Sequence, residues 1–73
     1  MKIRWLENHI WEVILDINPH GEPLIGNMDM RKGDSIEPDS VQINKEHFTA
    51  TIKLNDGRVM FGVPLSIFEW VQQ

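Results

Sequence analysis

The pattern of residues 41–63 constrains the fold of this chain most strongly, because it specifies three consecutive antiparallel strands. From Phe48 to Leu54 an apolar residue occupies every second position, which is the period of a strand with one buried face. Asp56 and Gly57 follow, and this dipeptide is typical of a two-residue type I′ hairpin turn. The segment therefore predicts a three-stranded meander.

The same pattern predicts the register of the meander. With Asp56 and Gly57 as the only loop residues, apolar side chains face apolar side chains across the hairpin. The predicted pairs are Leu54 with Val59, Ile52 with Phe61, and Ala50 with Val63. A four-residue turn over residues 44–47 extends this apolar face upstream. It pairs Ile43 with Phe48 and Val41 with Ala50.

The other face of the meander is mixed in polarity, as expected where an antiparallel sheet meets water. It carries Gln42, Thr49, Thr51, Lys53, Arg58, Met60 and Gly62. Pro64 ends the last strand because it lacks a backbone donor. Ser66 and Glu69 then have the spacing of a capping box, with Leu65 and Trp70 as a hydrophobic staple, and predict a short C-terminal helical turn.

Residues 3–17 fit two patterns. A helix would align Ile3, Leu6, Ile10, Val13, Ile14 and Ile17, whereas a strand would align Trp11, Val13, Leu15 and Ile17. We favour strands, because no N-cap residue precedes Ile3 and because the helix would leave Trp5 and Trp11 among its polar residues.

A turn is predicted after this segment, at Asn18-Pro19-His20-Gly21, where each residue suits its position in a type I turn. A short edge strand through Leu24 and Ile25 should follow, limited by Pro23 and Gly26. Residues 26–40 are the most loop-like part of the chain, and they contain the acidic residues Asp34, Glu37 and Asp39.

Together these patterns predict one small all-β, mainly antiparallel domain over residues 1–73, a roll or SH3-like barrel of about five strands. The chain has no cysteine and no apolar run of about 20 residues, so we expect a cytoplasmic protein without a membrane span. Residues 1–40 carry four basic and eight acidic side chains, net −4, and residues 41–73 carry three of each, net 0. This acidity disfavours nonspecific binding to nucleic acid.

Catalytic and cofactor motifs are not apparent in the sequence. His9, His20 and His47 lack the close spacing of zinc ligands, and Lys32-Gly33-Asp34-Ser35 lacks the order of a phosphate-binding loop. Glu12 and Asp16 read as residues of a solvated face, because acid and base catalysis needs an enclosed site. We therefore predict that the chain is not an enzyme and holds no cofactor or metal.

Residues 51–68, from the strand through Asp56-Gly57-Arg58 to Val63-Pro64-Leu65, resemble a family of short uncharacterised bacterial proteins. The resemblance extends over about residues 41–71. Members are often encoded beside small toxin-like proteins, so the resemblance implies an accessory or antitoxin-like binding role. It carries no catalytic residues.

Our prediction of function is a non-enzymatic module, accessory protein or inhibitor that binds another protein. Candidate contacts are Trp5, Trp11, Asp34, Glu37 and Asp39. A homodimer is also possible in this prediction, because edge strands of two identical chains can pair through their backbone groups. The alternative is a small-ligand or nucleic-acid binder that uses Thr49, Thr51, Lys53 and Arg58.

Overall fold

The computed structural model describes residues 1–72, and this part of the chain forms eight β-strands and one 3-10 turn but no α-helix. The strands are β1 (Lys2–Trp5), β2 (His9–Ile17), β3 (Pro23–Met30), β4 (Ser35–Ile36), β5 (Ser40–Asn44), β6 (Thr49–Lys53), β7 (Val59–Pro64) and β8 (Phe68–Val71). One antiparallel sheet has the order β4-β1-β8, and the other has the order β3-β2-β7-β6-β5. The all-β prediction is confirmed, with more strands than the five expected.

The strand interpretation of residues 3–17 is confirmed by β1 and β2. The turn after β2 forms where the sequence predicts it. The Gly21 N–H donates to the Asn18 carbonyl at 2.9 Å and closes the turn. The Asn18 side-chain oxygen also accepts the backbone N–H groups of His20 and Glu22, each at 2.9 Å. These bonds use the local hydrogen-bonding capacity for which asparagine is favoured in turns.

The return strand is longer than predicted, because Gly26 does not end it. β3 runs for eight residues, so residues 26–30 are strand rather than loop. A bulge at Leu15 explains why glycine suits this strand interior. A Cβ atom built on Gly26 would lie 3.0 Å from the Leu15 side chain, which covers this position.

The meander of β5, β6 and β7 is confirmed, but the predicted two-residue hairpin between β6 and β7 is wrong. Leu54 and Arg58 close a three-residue loop, in which the Leu54 N–H donates to the Arg58 carbonyl at 2.8 Å. Gly57 occupies the left-handed position with φ +92°. Consequently Ile52 pairs with Met60, not with Phe61.

A bulge in β7 restores the expected register farther from the loop. Ala50 pairs with Val63, as predicted, so β7 has one more residue than β6 between this pair and the Ile52 pair. Gly62, with φ +66°, lies within the bulge. Between the three-residue loop and the bulge the two faces are exchanged: Met60 is fully buried, and Phe61 is 55% exposed. The prediction that Phe61 is a core residue and Met60 a surface residue is therefore wrong.

The β5–β6 hairpin is displaced by two residues from the prediction, and Ile43 pairs with Ala50 while Val41 pairs with Ile52. A displacement of two keeps every side chain on its face, because the strand period is two. Phe48 ends the loop with φ +54° and is 72% exposed. Its predicted place in the core is wrong.

The core lies between the two sheets. Its fully or almost fully buried residues include Ile3, Trp5, Val13, Met30, Ile52, Met60 and Val63. Trp5 packs edge to face against Phe68, with ring centroids 6.3 Å apart. The two sheets do not close into a barrel.

The C-terminal helical turn is a single 3-10 turn, Leu65–Ile67, without the predicted capping box. Phe68 returns to extended backbone, with φ −142°, and begins β8. β8 pairs with β1 along all four residues, because the short turn carries the chain from one sheet to the other. Among residues 1–72 no helix has the length and apolar character needed to span a membrane.

Candidate binding surface

The strand β2 presents apolar side chains on both of its faces. Val13 points into the core and is almost fully buried, with Trp11 half-buried beside it. On the opposite face, Ile10 is 74% exposed and Ile14 is half-buried. We call this side of the five-stranded sheet, which is turned away from the three-stranded sheet, the outer face.

Neighbouring strands extend the apolar part of the outer face. Ile25 of β3 pairs with Ile14 and is 58% exposed. Phe61 of β7 joins the same surface, because the three-residue loop sets Met60 opposite Ile52 and so turns Phe61 away from the core. Ile10, Ile14, Ile25 and Phe61 line one shallow open groove of about 430 Å³, and we call these four residues the outer patch.

Trp11 forms part of the wall of this groove. Its indole Nε1–H donates to the backbone carbonyl of Phe61 at 3.2 Å, which connects β2 to the bulged part of β7. Trp11 also contacts His9 edge to face, with ring centroids 6.4 Å apart. The bulged part of β7 is thus held against β2 by a side-chain hydrogen bond.

The charged side chains of the groove are acidic. Glu12 lies between Ile10 and Ile14 along β2, and it also lines the groove. Asp29 pairs with Ile10 across the β2–β3 hairpin, but its carboxylate is bound by the Arg31 guanidinium at 3.0 Å. Glu12 enters no ion pair within residues 1–72.

The two tryptophans proposed as partner contacts have different environments. Trp5 is 1% exposed, so its indole is part of the core and does not reach the surface. Its backbone accepts from Gly33 at 2.8 Å and donates to Asp34 at 2.9 Å, which ties the loop before β4 to β1. Trp11 is the one of the two that lies at the groove.

The acidic residues Asp34, Glu37 and Asp39 flank β4 and the start of β5, on exposed backbone. Glu37 lies 3.9 Å from the Lys2 ammonium group, and its carbonyl accepts from Asn55 at 2.7 Å. The Asp39 N–H donates to the Lys53 carbonyl at 2.8 Å. These contacts place the acidic residues beside β1 and the β6–β7 hairpin, whereas Trp11 lies on the β2–β3 hairpin.

The hairpin register separates Arg58 from the other three residues of the alternative ligand face. Thr49, Thr51 and Lys53 alternate along β6 on the outer face, and Lys53 pairs with Val59. Arg58 lies opposite Leu54, one residue out of phase with that pair. Its guanidinium Nε is 2.7 Å from an Asp56 carboxylate oxygen. The Arg58 backbone N–H and, less strongly, its side chain lower the pKa of Asp56.

Residues 1–72 contain no group of three or more histidine, aspartate or glutamate side chains that could hold a metal ion. The outer patch and Glu12 present aliphatic side chains, one aromatic ring and one carboxylate to the groove.

Sequence reasoning missed Ile10, Ile25 and Phe61 as surface residues. A signal for part of this surface is present, because Ile10, Trp11, Val13, Ile14 and Leu15 place apolar groups on both faces of one strand. In an antiparallel sheet this pattern indicates a second contact besides the core. The exposure of Phe61 depends on the three-residue loop before β7 and has no such signal.

Comparison of the chain with protein-family models, with curated proteins and with solved structures gives no significant match.

Proposed function

We propose that this chain is a non-enzymatic protein interaction module that binds its partner through the outer patch. The observation that carries the proposal is the contiguity of large exposed apolar side chains, Ile10, Ile25 and Phe61, around one groove. Small proteins rarely leave such contiguous apolar surfaces in water unless they serve an interaction. Aromatic and aliphatic groups of this kind form the centres of protein interfaces.

The partner in this proposal is a protein of opposite charge. The chain has a formal net charge of −4, all of it arising in residues 1–40, which include the strands β2 and β3. Asp34, Glu37 and Asp39 add to the field that attracts a basic protein, although they lie away from the groove. Trp11 supports the groove, and Trp5 supports the core beneath.

The finer class of the fold belongs to the same proposal. An SH3-like roll that remains open is consistent with a meander followed by a single 3-10 turn and a strand that joins the other sheet. A cytoplasmic, accessory or antitoxin-like role is consistent with the acidic, cysteine-free sequence and with the family resemblance at Asp56-Gly57-Arg58.

A nuclease-treated pull-down from the native host lysate tests the proposal, with the tagged chain as bait and mass spectrometry as readout. We expect one stoichiometric protein partner that is lost with Phe61→Asp. Phe48→Asp is the matched control, because it makes the same change at an exposed phenylalanine outside the groove. A partner retained by Phe61→Asp would contradict the proposal.

The alternative function makes a different prediction in the same experiment. A small-ligand or nucleic-acid binder that uses Thr49, Thr51 and Lys53 would bind only when nuclease is omitted, or would bind no macromolecule at all. Lys53→Glu would then remove nucleic-acid binding, while Phe61→Asp would leave it unchanged. The ion pair of Arg58 with Asp56 weakens this alternative, because it offsets the positive charge that a phosphate would need.

A further inference from the structure

We propose that the outer patch recognises a protein segment in which a lysine or arginine is flanked by aliphatic or aromatic side chains, with Glu12 as the residue that selects the cation. This inference rests on the function proposed above and adds the chemistry of the partner. It comes from the position of one carboxylate within an apolar groove, not from the acidity of the whole chain.

The position of Glu12 sets the pattern that a partner must match. Ile10, Glu12 and Ile14 are alternate residues of one strand, so their side chains stand in a row on the outer face. Ile25 stands opposite Ile14 across the hairpin, and Asn27 stands opposite Glu12. An arriving segment therefore meets apolar, acidic and apolar groups in sequence.

The charge balance around Glu12 is incomplete within the described chain. Asp29, the other carboxylate near Ile10, is neutralised by Arg31 through two hydrogen bonds of 3.2 and 3.0 Å. The carboxylate of Glu12 has no such cation within residues 1–72. A lysine or arginine supplied by the partner would complete this site with a charge-assisted hydrogen bond.

Desolvation makes this carboxylate selective. An apolar partner that covered the groove without a cation would remove water from an ionised Glu12, and an unpaired buried charge is costly. An acidic partner would add repulsion to that cost. The same repulsion opposes a second copy of this chain, which would bring its own Glu12 and its own net charge of −4.

Selection from a library of short random peptides displayed on phage tests the inference. Peptides selected by the native chain should be enriched in lysine or arginine with apolar neighbours. Glu12→Gln should weaken the binding of a selected peptide about tenfold, and Glu12→Lys should reverse the charge preference of a fresh selection. Glu22→Lys is the matched control, because Glu22 is an exposed residue outside the groove, and it should change neither result.

The outcomes separate this inference from the proposed function. Peptides that require Phe61 but show no preference for basic residues, and that bind Glu12→Lys as well as the native chain, would overturn the role of Glu12 and leave the outer patch as the binding surface. Peptides whose binding survives both Phe61→Asp and Ile25→Asp would overturn the proposed function as well. Dimerisation of the native chain at pH 7 and low salt in sedimentation experiments, abolished by Ile25→Asp, would show that a second copy occupies the groove where charge repulsion should exclude it, and would overturn the basic partner.

Discussion

At the residue scale, Phe48 has a bulky side chain in a backbone conformation that usually selects glycine or asparagine. Its φ is +54°, its ring is exposed, and its carbonyl accepts the Leu65 N–H at 2.9 Å. The left-handed conformation costs an ordinary residue about 1–2 kcal/mol. The exposed ring contributes little burial to offset this cost. The loop geometry and the hydrogen bond to the 3-10 turn therefore have to offset it.

We predict that Phe48→Asn stabilises the protein by about 1 kcal/mol, because asparagine tolerates the left-handed region. The free energy of unfolding from urea titration measures the effect. Phe48→Leu is the control, since it reduces the side chain without relieving the backbone, and it should give no gain. Equal stabilisation by both variants would show that the aromatic ring, not the backbone, is the source of the cost.

Asp56 provides a prediction of pH dependence at the same scale. Its pKa is lowered from the ordinary value of 3.8, chiefly by the Arg58 backbone N–H, which donates to a carboxylate oxygen at 3.1 Å. Because the folded-state pKa is the lower one, the stabilising contribution is complete above pH 3.8 and is lost as the pH falls through the folded-state pKa.

Carboxyl-carbon NMR titration should therefore place the Asp56 midpoint below 3.8 in the native chain. Arg58→Ala should retain most of the lowering, because the backbone N–H remains when the guanidinium is removed. A return to the ordinary value in Arg58→Ala would instead identify the side-chain ion pair as the main cause.

At the scale of strands and hairpins, the length of the loop between β6 and β7 decides which of two adjacent residues belongs to the core. Met60 and Phe61 are both apolar, and each could face inward. The three-residue loop at residues 55–57 turns Met60 inward, and the bulge near Gly62 restores the phase at Val63. Phe61 is consequently available for the outer patch. The register set by the loop thus determines which side chains form the outer patch.

Substitution of these two residues measures the register directly. We predict that Met60→Ala destabilises the protein by about 2–5 kcal/mol, because it leaves a cavity in the core. Phe61→Ala should cost less than about 1 kcal/mol, because the ring is half in water. The free energies of unfolding of the two variants, from urea titration, test this prediction. A larger loss of stability in Phe61→Ala than in Met60→Ala would support the two-residue hairpin at Asp56-Gly57.

The sequence was sufficient for features that depend on local chemistry and was not for features that depend on distant packing. The turn at Asn18 was predictable from side-chain hydrogen bonding, and the strands of residues 3–17 from β-branched and aromatic content. The bulges at Leu15 and in β7 were not, because the apolar pattern favours pairs such as Leu54 with Val59, whereas the folded register pairs Val59 with Lys53 and buries Met60.

The capping-box pattern at Ser66 is a local signal that distant packing overrides. Its residue types favour a helix, yet the strand pairing of Phe68 with Trp5 prevails. That pairing joins residues 63 positions apart in the sequence, so no local pattern could predict it. Trp11 was the one predicted partner contact that the fold brings to the groove, whereas the acidic residues flanking β4 lie elsewhere.

At the scale of the whole molecule, an apolar groove and an acidic charge oppose each other. The groove favours association, and the net charge of −4 at pH 7 disfavours contact between identical copies. The balance should move with pH, because the charge vanishes near the isoelectric point of about 5.1. The apolar contribution does not depend on titration, so it should dominate there.

We therefore predict a monomer at pH 7 and low salt, and reversible self-association near pH 5.1. Sedimentation velocity at the two pH values measures the change. Phe61→Asp should suppress association near the isoelectric point, whereas Phe48→Asp, which adds the same charge outside the groove, should suppress it much less. Equal effects of the two variants would mean that charge alone governs association. No effect of either would point to another surface, such as the exposed edge strands β3 and β5, whose unpaired backbone groups can join sheets of two molecules.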